Sequence, residues 1–433
     1  VKIAIIGGGV SGLVAAYKLH ERHDVTVFEA NGYPGGHTNT VDIELDGERH
    51  AVDTGFIVYN ERNYPHFVRL LAELGVATKP TTMTFGVRDD RVGLEYNGES
   101  LDKLFAQRRN LLRPSFHRML LDILRFNRET RRIASDESCS LTLGEFLRRG
   151  NYSRAFAERY LLPMGSAIWS CPTGDFAGFP VRFVAEFYEN HGLLNLIDRP
   201  QWRVIEGGSR TYVEKLIRSF RERVRLRTPV ASVQRSDDGA LLRLGDGRGE
   251  RFDRVIFACH ADQALRLLGH EATRAERKVL KAFPYNPNVA VLHTDESTLP
   301  RSRKARASWN YRIAEGSDAA TVTYDMTLLQ GLPTKRRFLV TLNDEQRIAP
   351  ERVLARFVYE HPSFDLRRAS AQARHAELNR TPRTAYCGAY WGNGFHEDGV
   401  VSALVAVESV EQAAERERTG ATTVRSSAEL VAG

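Results

Sequence analysis

The chain opens on Lys2–Ile6, an apolar β-rich run that breaks at Gly7-Gly8-Gly9 and resumes as the apolar helical pattern Val10–Leu19. After a short turn, Asp24–Phe28 repeats the strand pattern and ends beside Glu29 and Ala30. Strand, glycine turn, helix and strand in this order make a βαβ unit, which commits the chain to a parallel sheet with helices on its faces. Within the unit, Gly7, Gly9 and Gly12 fit GxGxxG. Gly7 permits the tight turn, Gly9 lets a pyrophosphate approach the backbone, and Gly12 lets the helix pack on the strand. The helix start at Val10 and Ser11 offers free N–H groups and a positive dipole end to phosphates. Glu29 is placed to accept hydrogen bonds from both ribose hydroxyls and to repel a 2′-phosphate, so dinucleotide binding is expected and NADP is disfavoured.

Other strand patterns of the same kind come late: three near 222–261, then TAYCGAYWGNGFHEDGVVSALVAVESV, read as strand, Gly-rich loop and helix. Nucleotide-binding segments therefore occur at the start, middle and end of the 433 residues. The expected organisation is a discontinuous nucleotide-binding domain (1–60, 200–282, 376–412) and a substrate- or membrane-facing domain (61–199, 283–375). A disordered tail is expected over 413–433.

The next segments separate one dinucleotide from another. Gly35-Gly36-His37-Thr38 follows the acidic strand end, and Asp53-Thr54-Gly55-Phe56 comes after it. With the late Tyr390…Gly392-Asn393-Gly394…Asp398-Gly399-Val400, this order resembles the flavin amine oxidase and phytoene desaturase superfamily. The resemblance implies an α/β fold: a Rossmann-like FAD-binding domain with an inserted α+β substrate domain, an amine oxidase-like two-domain flavoprotein. It implies non-covalent FAD, with the paired glycines beside the flavin end and the late segment, from Tyr390 through His396 to Val400, closing over it. It also implies backbone contacts to adenine at Val230 and a return to the cofactor at Ala258, Cys259 and His260. The family has Arg after its paired glycines; His37 stands there in this chain and is left free to face the ring.

A narrower likeness rests on Leu162–Ser170 (LPMGSAIWS), Asn190–Leu194 (NHGLL), Gly207–Arg210, Trp309-Asn310-Tyr311, Thr323–Met326 and Gly394–Gly399 (GFHEDG). Together they resemble a bacterial branch of FAD-binding oxidoreductases, similar to the flavoprotein region of plant cyclopropane fatty acid synthases. The resemblance implies desaturation of an unsaturated or methylated fatty-acyl chain, and a fatty-acyl methyltransferase as partner. Trp169, Phe179, Phe183, Phe187, Trp309 and Tyr324 are candidates for an apolar tunnel, or for ordinary core. His396, Glu397, His191 and Tyr59 are the candidate catalytic residues, since histidine exchanges protons near neutral pH; Glu397 and Asp398 also stand where carboxylates cap helices. Oxidation of an amine, with Tyr390 and Trp391 as a cage, or of a tetrapyrrole stays open, as does a non-catalytic lipid-binding relative.

Charge is concentrated. Residues 101–133 carry nine basic side chains and three acidic ones, +6 against +7 for the whole chain. Leu112, Phe116, Met119, Leu120, Ile123 and Leu124 recur there at helical spacing, and Arg118, Arg125 and Arg132 every seven residues. The pattern reads as a cationic amphipathic helix, packed into its domain or resting on an anionic membrane surface. No aromatic-rich basic groove accompanies it, so nucleic acid is not expected. Four scattered cysteines form no CxxC, which argues against a metal site or a disulfide framework and fits a reducing compartment. No apolar run of about 18 residues occurs and the opening reads as a strand, so neither a membrane span nor a signal peptide is expected. A cytoplasmic protein, peripheral at the inner face of the membrane, is the expected location.

Overall fold

The computed structural model describes residues 1–136, 138–195, 200–315, 321–381 and 383–419. Twelve strands build its two large sheets: β1 (Lys2–Ile6), β2 (Asp24–Phe28), β3 (Phe85–Asp89), β4 (Leu94–Asn97), β5 (Val224–Arg225) and β6 (Arg254–Phe257), followed by β7 (Tyr285–His293), β8 (Trp309–Ile313), β9 (Thr321–Asp325), β10 (Leu339–Leu342), β11 (Val353–Pro362) and β12 (Thr384–Tyr386). The helices that matter for the site are α1 (Val10–Leu19), α2 (Pro65–Glu73), α3 (Pro114–Ala134), α4 (Leu162–Trp169), α5 (Val181–Asn190) and α6 (His396–Thr419).

The first sheet is parallel throughout, in the order β5-β2-β1-β6-β12. Its strands are near-continuous apolar runs because helices cover them; Ile3, Ile5, Val25 and Val27 are fully buried. Helices α1 and α6 lie together on it, and their approach depends on Gly399, where a Cβ would stand 2.7 Å from Val10 Cγ1. The second sheet has the order β11-β7-β10-β9-β8-β3-β4 and is antiparallel except where β8 runs parallel to β3. It is assembled from residues 85–97 and 285–362, so strands far apart in the chain share one ladder. Helices α3, α4 and α5 pack beside it around an aromatic core that includes Phe116, Phe126, Trp169 and Phe187.

Two expectations are corrected by this architecture. The tail expected from residue 413 is helical to Thr419, because Val410 and Ala413 are buried and Glu417 pairs with Arg254 at 2.8 Å; residues 420–433 lie outside the described residues. The apolar stripe of 101–133 splits in two. Phe116 and Met119 are buried, and Leu120 and Ile123 pack partly against the same core. Leu112 and Leu124 face solvent instead, since Leu112 belongs to the turn before α3 and Leu124 sits a further 100° round the helix from Ile123. Among the described residues no helix is long and apolar enough to cross a membrane.

Candidate functional site

A cavity of about 970 Å³ runs from the glycine turn into the inserted segments. One end of it is built by the βαβ unit. Gly7 turns at φ +114°, Gly9 stands before α1, and Gly7, Gly9, Val10 and Ser11 form the wall at the helix N-terminus. A Cβ on Gly9 would meet nothing within 4 Å, so the space above it is open. A Cβ on Gly12 would collide with the Gly7 carbonyl oxygen, so Gly12 serves packing and does not line the cavity. Glu29 lines it; its Oε2 accepts from Gly8 N and its Oε1 from Asn31 N, both at 2.7 Å. Each carboxylate oxygen retains a lone pair for a ribose hydroxyl. Ala30, Val230, Ala258 and Cys259 complete this end. Burial pushes the Cys259 thiol up to about 12, so no thiolate faces the cavity.

Gly35 and Gly36 follow at φ +117° and +60°, Gly35 N donating to Gly8 O at 2.7 Å. They carry the wall to His37, Gly55 and Phe56. His37 lies between Tyr359 and His361 of β11, with ring centroids 5.0 Å from each. Strand alternation puts residues 359 and 361 on one side of β11, which is how both reach the same ring. Burial, reinforced by neighbouring histidines, holds His37 well below its usual range. Nothing in local sequence joins residue 37 to residue 361; the period-two pairing of Tyr and His inside an apolar strand pattern was the only available signal.

Beyond this point the cavity is a chamber of Met83, Ile168, Trp169, Phe187, Leu193 and Trp309, with Tyr324 and Phe395. Of the expected tunnel residues, Phe179 and Phe183 stand behind Trp169, ring centroids 5.7 and 5.3 Å from it, and do not line the space. The expected cage is not formed either: Tyr390 reaches the cavity, but Trp391 turns away to stack on His375 at 4.2 Å.

The expected catalytic residues separate. His396 lines the cavity, stacked on Phe56 at 3.5 Å, with Nε2 2.9 Å from Thr38 Oγ1 and 3.1 Å from Tyr212 OH. Burial pushes it down to about 3, so it is neutral and its Nε2 is already engaged. Glu397 is not at the cavity: Oε1 accepts from His66 N (3.0 Å) and Oε2 from Phe67 N (2.9 Å), capping α2 from outside its own helix. Asp398 Oδ2 accepts from Phe395 N at 2.9 Å, half of a capping box for α6, and burial pushes it up to about 6. Tyr59 is core, edge-on to Tyr64 and Phe67. Thr38, Thr54, Asp398, Gly399 and Val400 stand behind the wall; Thr54 bonds Asn39 O and Tyr359 OH. His191 remains. It lines the chamber, stacks on Phe187 at 3.8 Å, and its Nδ1–H donates to Phe187 O at 2.9 Å, which leaves the Nε2 lone pair free of that bond.

The family model for flavin containing amine oxidoreductases matches residues 10–410. The chain belongs to that family. Its fold is that of the family's solved structures. Cyclohexylamine oxidase from Brevibacterium oxydans is 16% identical, with 96% of this chain and 100% of that one covered at a TM-score of 0.70. A fatty acid isomerase from P. acnes, described as producing CLA, is 14% identical over 94% of this chain and 98% of that one, with a TM-score of 0.66. A shorter match joins protoporphyrinogen oxidase 2 of Arabidopsis thaliana: 56% identity over 41 residues, 9% of this chain and 8% of that protein. For this member of the family, the open space over Gly9, the helix N-terminus and Glu29 fit the phosphate and ribose groups of a flavin cofactor.

The buried histidines set a pH dependence. His191, His293 and His361 are pushed down to about 4 and His396 to about 3 by burial, with His37 also low. In the unfolded chain they take up protons below about 6.5. Their contribution is therefore complete above that pH and lost as pH falls toward the folded values, up to about 1.4 kcal/mol per unit for each. Asp53 and Asp398, pushed up to about 6 by burial, act oppositely: their contribution is complete below about 4 and lost as pH rises through 6. His260 and His375 are lowered by burial as well, and Asp325 is raised by it, so seven histidines stand against three aspartates and the denaturant midpoint should fall clearly between pH 7.5 and 5. A flat midpoint would contradict the burial of these rings.

Proposed function

We propose that the protein binds FAD non-covalently along Gly7–His37 and desaturates an unsaturated or methylated fatty-acyl chain. One observation carries this reading: the chamber beyond His37 is apolar and uncharged. Among the described residues the cavity's carboxylates are Glu29 and Glu360 and its one arginine is Arg266, and none of the three belongs to the chamber. A cationic amine would be left without a counter-charge there, and the carboxylates of a tetrapyrrole without a base, at a cost of several kcal/mol for each unpaired buried ion. A neutral acyl chain meets Met83, Ile168, Trp169, Phe187, Leu193 and Trp309 on their own terms. The fold is also shared by a protein described as a fatty acid isomerase, which is consistent with an acyl substrate on this scaffold.

Flavin held there supplies a two-electron acceptor: hydride leaves one carbon, a proton leaves its neighbour, and the pair of electrons left behind becomes the C=C bond. The chain's own part is to exclude water, hold the acyl carbons in line and take the proton. In this reading His191 takes it through Nε2, and its low affinity for the proton passes it on to solvent at neutral pH. The test is anaerobic mixing of the yellow protein with detergent-dispersed acyl lipid, saturated, monounsaturated and methylated, and separately with polyamine. Bleaching by unsaturated or methylated acyl chains is expected. Bleaching by polyamine and by no acyl lipid would overturn the reading.

A further inference from the structure

The helix that carries much of the chain's charge has a second face that no described residue covers. On α3 the residues Phe116, Met119, Phe126 and Thr130 are buried. Residues 117, 121, 124 and 128, spaced four, three and four apart, share the opposite side. There Leu121 is 62% exposed and Leu124 50%. His117 Nε2–H donates to the Leu111 carbonyl at 2.8 Å, which fixes the preceding turn at the head of this face with Leu112, 87% exposed, at its tip. Leucines at such exposure, gathered on one helix and its leading turn, are an unsatisfied apolar surface.

The cations around them are of two kinds. Arg125 is committed: Nε to Glu129 at 2.8 Å, Nη2 to Gly150 O at 2.6 Å, guanidinium 4.4 Å over the Tyr152 ring. Arg118 is exposed and holds Asp122 only loosely at 3.4 Å, while Arg128 and Arg132 are exposed with no ion pair among the described residues. The far end of α3 reaches the chamber wall. Arg131 donates to Leu194 O (3.2 Å) and Asn195 Oδ1 (2.6 Å), directly after the cavity-lining Leu193.

We infer that this face of α3 docks on an anionic phospholipid bilayer, with Leu112, Leu121 and Leu124 entering the headgroup boundary and Arg118, Arg128 and Arg132 meeting lipid phosphates. Leucine alone would suit any apolar partner; the excess of arginine over acid on the same surface selects an anionic one, and the combination of apolar insertion with cations in one plane is that of an interfacial helix. The inference deepens the acyl-lipid reading, because it brings the chamber wall at residues 191–195 to the surface where acyl chains reside.

The test is co-sedimentation of the flavin-loaded protein with phosphatidylcholine vesicles, with and without about 30 mol% phosphatidylglycerol. Binding should appear with the anionic lipid and fall at least about tenfold as salt rises from about 0.1 to 0.5 M. Replacing Arg118, Arg128 and Arg132 together with Gln should weaken it about a hundredfold, roughly fivefold for each cation removed from the surface. The double change Leu112→Asp, Leu121→Asp should weaken it about tenfold or more. All these residues are exposed, so flavin content and melting temperature should hold in both variants. Absent or salt-insensitive binding, or binding that both variants retain, would overturn the inference. So would leucine variants that convert a dimer to a monomer in light scattering while the parent ignores vesicles, since the face would then belong to a second copy. Flavin bleaching by detergent-dispersed acyl lipid needs no vesicle, so the docking face and the acyl-lipid reading fail separately.

Discussion

Gly9→Leu should yield a folded, colourless protein. Gly9 has φ −77° and ψ −177°, a backbone that any residue adopts, and a Cβ there points into open space. The substitution therefore strains nothing in the fold, and its bulk lies only where a pyrophosphate must approach the backbone. Flavin released on denaturation should fall from near one equivalent to a few per cent or less, on the order of a hundredfold loss, with far-ultraviolet circular dichroism unchanged. Gly12→Leu is the contrasting variant, because its side chain would drive into the Gly7 carbonyl and should cost the fold itself. Full flavin occupancy in Gly9→Leu would place the phosphates elsewhere.

The second large effect concerns His191 and is set against Glu397. Replacing His191 with Ala should slow anaerobic flavin reduction by acyl substrate about 10²-fold or more while flavin content stays near that of the parent, the usual range for loss of a proton acceptor. Glu397→Ala should leave that rate unchanged and lower stability by about 1–2 kcal/mol, because it strips the cap from α2. Stopped-flow reduction and thermal melting of the two variants separate the roles. A slow Glu397→Ala beside a normal His191→Ala would reverse them.

The contrast between these two residues shows what was legible in the sequence. Everything decided by neighbours in the chain was readable: the turn at Gly7, the close packing at Gly12, the acidic strand end at Glu29, the paired glycines before His37. Each is a local conformational demand with a characteristic residue. What tertiary contact decides was not. Glu397 sits one residue from cavity-lining His396 and looks equally chemical, yet a helix 330 residues away claims both its oxygens. Phe183 and Phe187 lie one turn apart on α5, and only the second reaches the chamber. Tyr359 and His361 reach His37 through a strand pairing that no window of sequence contains. Arg125 keeps the heptad register of Arg118 and Arg132, but Tyr152 and Gly150 remove it from the free surface.

The interleaved parallel sheet has a consequence for how the molecule is made. Of its strands the central β1 comes earliest in the chain, β6 pairs with it only after some 250 residues, and β12 and α6 close the other edge near residue 384 and beyond. Until then a nascent chain presents β1 and α1 with their apolar faces uncovered, and the inserted helices and second sheet must emerge before the first sheet is complete. Loop closure over such separations is slow, and open strand edges in the meantime invite misassembly. The glycine turn cannot acquire its full surroundings until α6 has emerged, because Gly399 packs on Val10 and His396 lines the same cavity, so cofactor uptake is expected only after that helix is made.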